Sequence, residues 1–425
     1  MILDTDKIRV SSNSCKVLFH LHRPPLPTDG GDKQRLMGML NYFCDRRDSL
    51  KVDGFGGNTK GRTEWTEKDA ALLKPYLNSF QYYRGEADLV DFVYSRSKSL
   101  YYQKFLRQQL PIDTDYFAPP NYVRFVKKLV RQNRYDYLWL NYIEYAALAI
   151  ELKKHPDLDL KIAIDIHDLG CQGRVAIDDI EYLQKLKFDY QANLVKEGNL
   201  LDKFDRVIVN SEAEKNVLSS YIATEKLILI PHLLETVNSN NIPPYARRKF
   251  DYDILFVGTG RSPNVNAINF FLQDILPHII EHKPDLLLAL VGSIGKAIKI
   301  PRKLSKNVID IGYVEDIASI YLSSKINICP LLKGAGTKVK LQEALAYGLP
   351  IVTTTVGASG LKLKNNVNCY IVDEARAFAS KILILLDNEQ MCQNFSATAN
   401  VTYEKHYAKK QIYKKLDNLL EICSS

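Results

Sequence analysis

The stretch from Cys329 to Gly360, CPLLKGAGTKVKLQEALAYGLPIVTTTVGASG, constrains this chain more than any other. An apolar run ending at Ile326 and Ile328 reads as a buried parallel strand. Gly334 and Gly336 follow, residues that let a backbone approach a ligand closely. Val339, Leu341, Leu345 and Ala346 then recur at helical spacing, Gly348 and Pro350 stop the helix, and Ile351 to Thr355 read as the next strand. The helix opens with Lys338 and Lys340, so backbone N–H groups at Gly336 and Thr337, the positive end of the helix dipole and two ammonium groups share one spot. That combination suits a phosphate. Glu343 lies further along the helix, placed for hydroxyls rather than phosphate. The alternative is a basic surface helix behind a flexible loop.

The same stretch resembles the donor-binding motif of the family 4 retaining glycosyltransferases, whose fold is GT-B. Glu343-Ala344 and Gly348-Leu349-Pro350-Ile351-Val352 match its second half. The motif's first glutamate, eight positions before the second and used near the donor sugar, falls on Ala335. The resemblance implies two Rossmann-like doubly wound domains facing a cleft. It also implies a nucleotide-diphosphate sugar as co-substrate, with no further cofactor.

Length agrees. At 425 residues the chain exceeds what one core supports and should form two domains of roughly 200 residues. Strand-like runs at Lys16–Leu21, Tyr135–Asn141, Lys161–His167, Asp205–Asn210 and Leu227–Pro231 alternate with helical patterns, as in a parallel sheet. Gly54, Gly56, Gly57 and Gly61 read as a loop. The polar, Asn- and Pro-containing segment 235–250 reads as a linker. A second strand–helix alternation follows, with strands at Asp253–Val257, Leu286–Val291, Val308–Ile311, Lys325–Pro330, Ile351–Thr355 and Cys369–Val372. The expected division is 1–240, 250–402 and a C-terminal helix from residue 403, which in the GT-B fold crosses back to the first domain.

Other residues join the site. Gly30 and Gly31 form a strand-to-helix loop that the resemblance turns toward the cleft. The turn FVGTGRSPN supplies Gly258, with Asn264 in the first helical turn and Arg261 as the nearby cation for phosphate. Tyr313 and Val314 follow Gly312 in a turn similar to the one that packs the nucleotide base. His167 ends a strand, where open α/β sheets bind ligands, and matches the histidine held near the donor's anomeric centre. The competing reading is a core histidine, with Asp168 capping the next turn and Asp165 a sheet-end partner. Asn210-Ser211-Glu212 reads chiefly as a helix N-cap. His167, Glu343 and Lys338 are the expected catalytic groups. Gly30, Gly31, Gly258, Arg261, Asn264, Tyr313, Val314, Gly336, Thr337 and Lys340 are the expected donor contacts.

Asp-x-Asp pairs at 4/6, 113/115, 157/159 and 251/253 sit in unrelated settings, so a metal-independent enzyme is expected. Seven cysteines, never spaced as CxxC, point to a reducing cytoplasm rather than to zinc or a disulfide framework. No apolar run approaches the ~18–20 residues that span a bilayer, and MILDTDKIRV lacks a signal-peptide core. The net charge of +8 favours acidic partners, such as a nucleotide diphosphate or anionic lipid, without indicating nucleic acid. Between Tyr94 and Arg134, basic residues interleave with Tyr101, Tyr102, Phe105, Tyr116, Phe117 and Phe125. Val123, Val126 and Val130 there suggest an amphipathic helix for the face of an anionic membrane, or one that packs on the sheet. The activity implied by the resemblance is sugar transfer to a glycan or lipid-linked acceptor, the rivals being a nucleotide-sugar epimerase of similar fold and a weakly active donor-binding partner subunit.

Overall fold

The computed structural model describes residues 14–422 except 29, 59–63, 86–88, 107–109, 112–113, 176–187, 235–241 and 335. The first half builds a seven-stranded sheet in the order β3-β2-β1-β4-β5-β6-β7. Its strands are β1 (Cys15–His20), β2 (Leu50–Gly57), β3 (Ser79–Tyr83), β4 (Tyr137–Asn141), β5 (Lys161–Asp165), β6 (Arg206–Val209) and β7 (Leu227–Leu229). The second half builds a six-stranded sheet in the order β10-β9-β8-β11-β12-β13. Here the strands are β8 (Tyr252–Val257), β9 (Leu288–Val291), β10 (Val308–Gly312), β11 (Ser324–Cys329), β12 (Ile351–Thr353) and β13 (Tyr370–Ile371). All pairings within both sheets are parallel. This is the expected pair of doubly wound sheets.

The strand orders decide where a ligand can go. In each sheet the chain winds outward for three strands, then returns to the far side of the first, so the crossovers diverge between β1 and β4 and between β8 and β11. The carboxyl ends of strands beside such a switch point form a crevice. The Gly30–Gly31 loop follows β1, the Gly258 turn follows β8 and the Gly334–Gly336 loop follows β11. Every residue of β4 is buried, with apolar clusters on both faces of its sheet and a third cluster filling the second domain.

Two local expectations need correction, and one open choice is decided. Gly54, Gly56 and Gly57 lie in strand β2, not in a loop. A Cβ on each would come within 2.5–2.6 Å of Leu77, Trp65 or Tyr122, so glycine is there to admit large side chains against the strand. Gly61 lies outside the described residues. The helix Pro120–Asn133 buries Tyr122, Val126, Leu129 and Val130 in the first-domain core, so its apolar face packs on the sheet rather than on a membrane. The helix expected from residue 403 is two helices, Glu389–His406 and Lys409–Leu419. The break falls at Tyr407, whose hydroxyl accepts the Lys362 N–H at 2.7 Å and ties the turn to the second domain.

Beyond that turn the chain leaves its domain. Ile412, Leu416 and Leu419 join the first-domain core. Asp417, 2% exposed, accepts the Tyr42 hydroxyl at 2.9 Å and the Arg46 guanidinium at 2.9 and 3.0 Å. Tyr413 donates to Asp45 at 2.7 Å. Among the described residues no helix is long and apolar enough to cross a membrane.

Candidate active site in the interdomain cleft

On the second-domain side the glycine loop is held in conformations that L-residues avoid: φ is +147° at Gly334 and +69° at Gly336. Ala335, the position of the motif's missing glutamate, lies outside the described residues. The helix Val339–Ala346 follows, with Lys338 as its N-cap residue. Lys338 is 7% exposed and donates to the Gly336 carbonyl at 2.6 Å. Burial lowers its ammonium below the usual lysine range, although the Cys329 thiol, Asp168 and Glu214 act to hold the charge.

Lys340 is turned another way. It donates to Asn264 Oδ1 at 2.7 Å and lies 4.3 Å from the centroid of the Phe256 ring. Asn264 in turn donates to the Thr259 carbonyl at 3.0 Å, so Lys340 and Asn264 brace the Gly258 turn. Gly292 closes against that turn from β9, at φ +97°. Glu343 is buried and accepts the Tyr321 hydroxyl at 2.9 Å; burial pushes its carboxyl up to about 7. Tyr313 is exposed on the turn after β10, while Val314 packs against the second-domain core.

The first domain supplies the facing wall. A Cβ on Gly30 would stand 3.8 Å from the Arg261 guanidinium, and one on Gly31 would stand 3.5 Å from Val339. The Gly30–Gly31 loop therefore meets Arg261 of the Gly258 turn and the first residue of the helix Val339–Ala346. Asp32 beside them contacts Arg23 at 3.2 Å and His22 at 3.6 Å. Burial opposes its ionisation, but the His22 hydrogen bond and the Arg23 charge win and hold the carboxyl well below the usual range.

His167 has φ +58°, a strained value for a residue with a side chain and one that recurs at functional sites. Its carbonyl accepts the Asn210 amide and its N–H donates to Asp165 at 3.3 Å. Asn141 donates its amide to the His20 carbonyl at 2.5 Å, so its oxygen faces His167 Nε2 at 2.9 Å. This network puts the ring proton on Nε2 and leaves buried Nδ1 as an acceptor with no partner among the described residues. Burial, then the Arg35 charge, hold the ring pKa well below the usual value, so the imidazole is neutral. Tyr142 stacks on it at 4.2 Å. Asp165 does serve as a sheet-end partner: Arg35 donates to it at 2.7 Å in a fully buried pair.

Contacts invisible in a linear reading join the walls. Thr337 donates to Asn210 Oδ1 at 2.8 Å across the cleft, and Gln342 donates to the His232 carbonyl at 2.6 Å. Ser211 caps the helix Glu212–Leu218, as the N-cap reading expected, and also donates to Glu214 at 2.9 Å. Glu214 is 2% exposed, and burial pushes its carboxyl up to about 7. Asp168 does not cap the next helix; the N–H groups of Gly170 and Cys171 go to Glu197, at 2.7 and 3.0 Å. Among the described residues no group of three His, Cys, Asp or Glu side chains could hold a metal ion.

Comparison with known proteins agrees with this fold. Residues 251–388 match the family described as Glycosyl transferases group 1. An uncharacterized 44.6 kDa protein in the cps region of Klebsiella pneumoniae is 24% identical over 263 residues, 57% of this chain and 66% of that protein. Spore coat protein SA of Bacillus subtilis (strain 168) is 25% identical over 184 residues, 40% of this chain and 48% of its own length. The solved structure of HepE from Anabaena in complex with UDP superposes with a TM-score of 0.65 at 14% identity, and its complex with UDP-glucose with 0.63 at 16%. Each covers 96% of this chain and 99% of HepE. With two parallel α/β sheets facing a cleft, the chain has the GT-B fold, and the second of its sheets, within residues 251–388, carries the domain of the group 1 glycosyl transferases.

Proposed function

We propose that this protein is a retaining, metal-independent hexosyltransferase. It moves a sugar from a nucleoside-diphosphate sugar to a hydroxyl of a glycan or lipid-linked acceptor, in cell-surface polysaccharide or glycoconjugate synthesis. One observation carries the reading: Gly30 and Gly31 meet Arg261 and Val339 while Asp168 faces Gly336, so both switch points open onto one cleft. The relatives from a capsule region and a spore coat support the surface-polysaccharide setting.

The difficult step is departure of a diphosphate as its negative charge grows. Preorganised donors lower that barrier because they need no reorientation as the bond breaks. Arg261, Lys338 and the N–H groups at Gly336 and Thr337 serve as those donors, with Lys340 bracing the turn beneath. Glu343 holds ribose hydroxyls. His167 offers Nδ1 as a neutral acceptor to a hydroxyl of the sugar near its anomeric carbon. The departing phosphate takes the acceptor's proton on the same face, so no carboxylate base is needed.

The enzyme works in the cytoplasm and meets an anionic membrane through the earlier part of its basic, aromatic stretch rather than through the helix Pro120–Asn133. Along Leu89–Ser99 and the following turn, Leu89, Val93, Tyr101 and Phe105 are 73%, 54%, 51% and 79% exposed, beside Arg96 and Lys104. Apolar and basic side chains on one surface suit an anionic bilayer.

Incubation with UDP- and GDP-sugars and glycan or polyprenyl-phosphate-linked acceptors, in the presence of EDTA, tests the reading. Nucleoside diphosphate release with an axial-retained glycosidic bond by NMR is expected. Epimer interconversion without diphosphate release would make the protein an epimerase, and absence of both would leave a donor-binding partner. Salt-sensitive cosedimentation with phosphatidylglycerol but not phosphatidylcholine vesicles is expected of the exposed helix; equal binding to both would remove the membrane contact.

A further inference from the structure

Asp168 has no structural task that accounts for it. It follows His167 at the carboxyl end of β5, in a tight turn closed by its N–H on the Ile166 carbonyl at 2.6 Å. The helix behind it is capped by Glu197. Among the described residues its carboxylate makes no hydrogen bond and no ion pair. Yet the second domain leaves room for it, since a Cβ at Gly336 would stand 1.8 Å from Asp168 Oδ1 and 2.8 Å from its Cγ. The left-handed φ of Gly336 and its missing side chain thus keep a first-domain carboxylate against the loop that follows β11.

Burial pushes the Asp168 carboxyl up to about 6, while Lys338 and Arg35 favour its charged form. The side chain is only half-buried, so its carboxylate stays open to the cleft, where hydroxyl groups of a ligand can donate to it. The ligand part that meets it cannot be the diphosphate, because like charges repel there; it is the uncharged, hydroxyl-bearing part. Residue 335, where the family motif has a carboxylate near the sugar, is alanine in this chain, and Asp168 stands against residue 336.

We propose that Asp168 is a donor-specificity residue that accepts hydroxyls of the transferred sugar, supplying from the first domain the carboxylate that position 335 lacks. The inference rests on the transferase reading and deepens it. Hydrogen bonds from sugar hydroxyls to the carboxylate form with the intact donor and not with the bare diphosphate, so the residue separates those two ligands.

Titration calorimetry on full-length wild type and Asp168→Asn, with UDP against UDP-glucose and GDP against GDP-mannose, tests this. For the pair that wild type binds, the substitution should weaken the sugar nucleotide about 10- to 100-fold, the worth of hydrogen bonds to a charged group. The bare diphosphate should stay within about twofold. Thermal unfolding of the variant checks that it remains folded, and Asp168→Glu should recover part of the selectivity. Equal weakening of sugar nucleotide and diphosphate, or an unchanged sugar nucleotide, overturns the inference alone. A wild type that binds none of the four overturns the transferase reading and the inference with it.

Discussion

Replacing Gly292 with alanine tests whether the Gly258 turn is as rigidly held as its surroundings imply. Two costs add at this position. A residue with a side chain at φ +97° loses about 1–2 kcal/mol to the contact of Cβ with its own backbone. The new Cβ would also stand 2.4 Å from the Gly258 carbonyl oxygen and 3.1 Å from its carbon. Those are backbone atoms, so no rotamer change relieves the collision. The Gly258 carbonyl must move, although it accepts the Ile294 N–H at 3.2 Å. Overpacking costs about 1–3 kcal/mol and a weakened hydrogen bond about 1 kcal/mol, giving a total of about 3–6 kcal/mol with the backbone share. Gly312 provides the control, with φ +75° and nothing within 4 Å of its added Cβ. Gly312→Ala should cost only the backbone share, about 1–2 kcal/mol. Urea unfolding followed by far-ultraviolet circular dichroism separates the two variants through their midpoints at constant m. The indole fluorescence of Trp65 and Trp139, both in the first domain, provides an internal reference. Equal losses in the two variants, or a Gly292→Ala loss below about 1 kcal/mol, would refute the argument.

Lys338→Ala should lower turnover by about 10²–10³, the usual cost of removing one preorganised stabiliser, with acceptor affinity unchanged; an effect confined to acceptor KM would count against a role at the leaving group. Lys340→Ala should also lower turnover, and should loosen the Gly258 turn through loss of the Asn264 contact, visible as faster amide exchange there. Glu343→Gln should abolish transfer in a folded protein. It should also change how stability depends on pH. Burial raises the folded carboxyl to about 7 from an ordinary 4.5, so the native state takes up its proton first as pH falls through that window. The Glu343 contribution therefore grows from pH 7 down to 4.5 and is lost as pH rises through 7. Relative to wild type, the variant should gain stability at pH 8 over pH 5.5; a constant difference would place the carboxyl in its ordinary range.

The second-domain half of the site was legible because its parts are contiguous. Strand, glycine loop, lysines and Glu343 lie between Ile326 and Pro350, and local rules suffice to read them. The first domain hid more. Strand β2 was missed because its glycines carry a loop signature, and only the bulk of Trp65, Leu77 and Tyr122 explains them. Asp168 read as a cap because the sequence does not reveal that Glu197 fills that role. The Thr337–Asn210 bond joins residues 127 apart, and no periodicity or spacing encodes such a pairing. A cleft wall assembled from two domains is a tertiary property, so half of it has no local signature.

The crossing of Lys409–Leu419 to the first domain has a consequence for synthesis. Tyr42 and Arg46 lie near the start of the chain, yet their carboxylate partner is Asp417. While the ribosome is still making the second domain, the first has its sheet but lacks Ile412, Leu416 and Leu419 from its core. Leu36, Leu40, Tyr42 and Phe43, which share that core cluster, therefore await its completion. Translation must pass Lys409–Leu419 before the first domain is finished, so the folding of that domain registers that the second has been made. A lesion within Lys409–Leu419 should thus leave the earlier-made of the two domains sticky to chaperones.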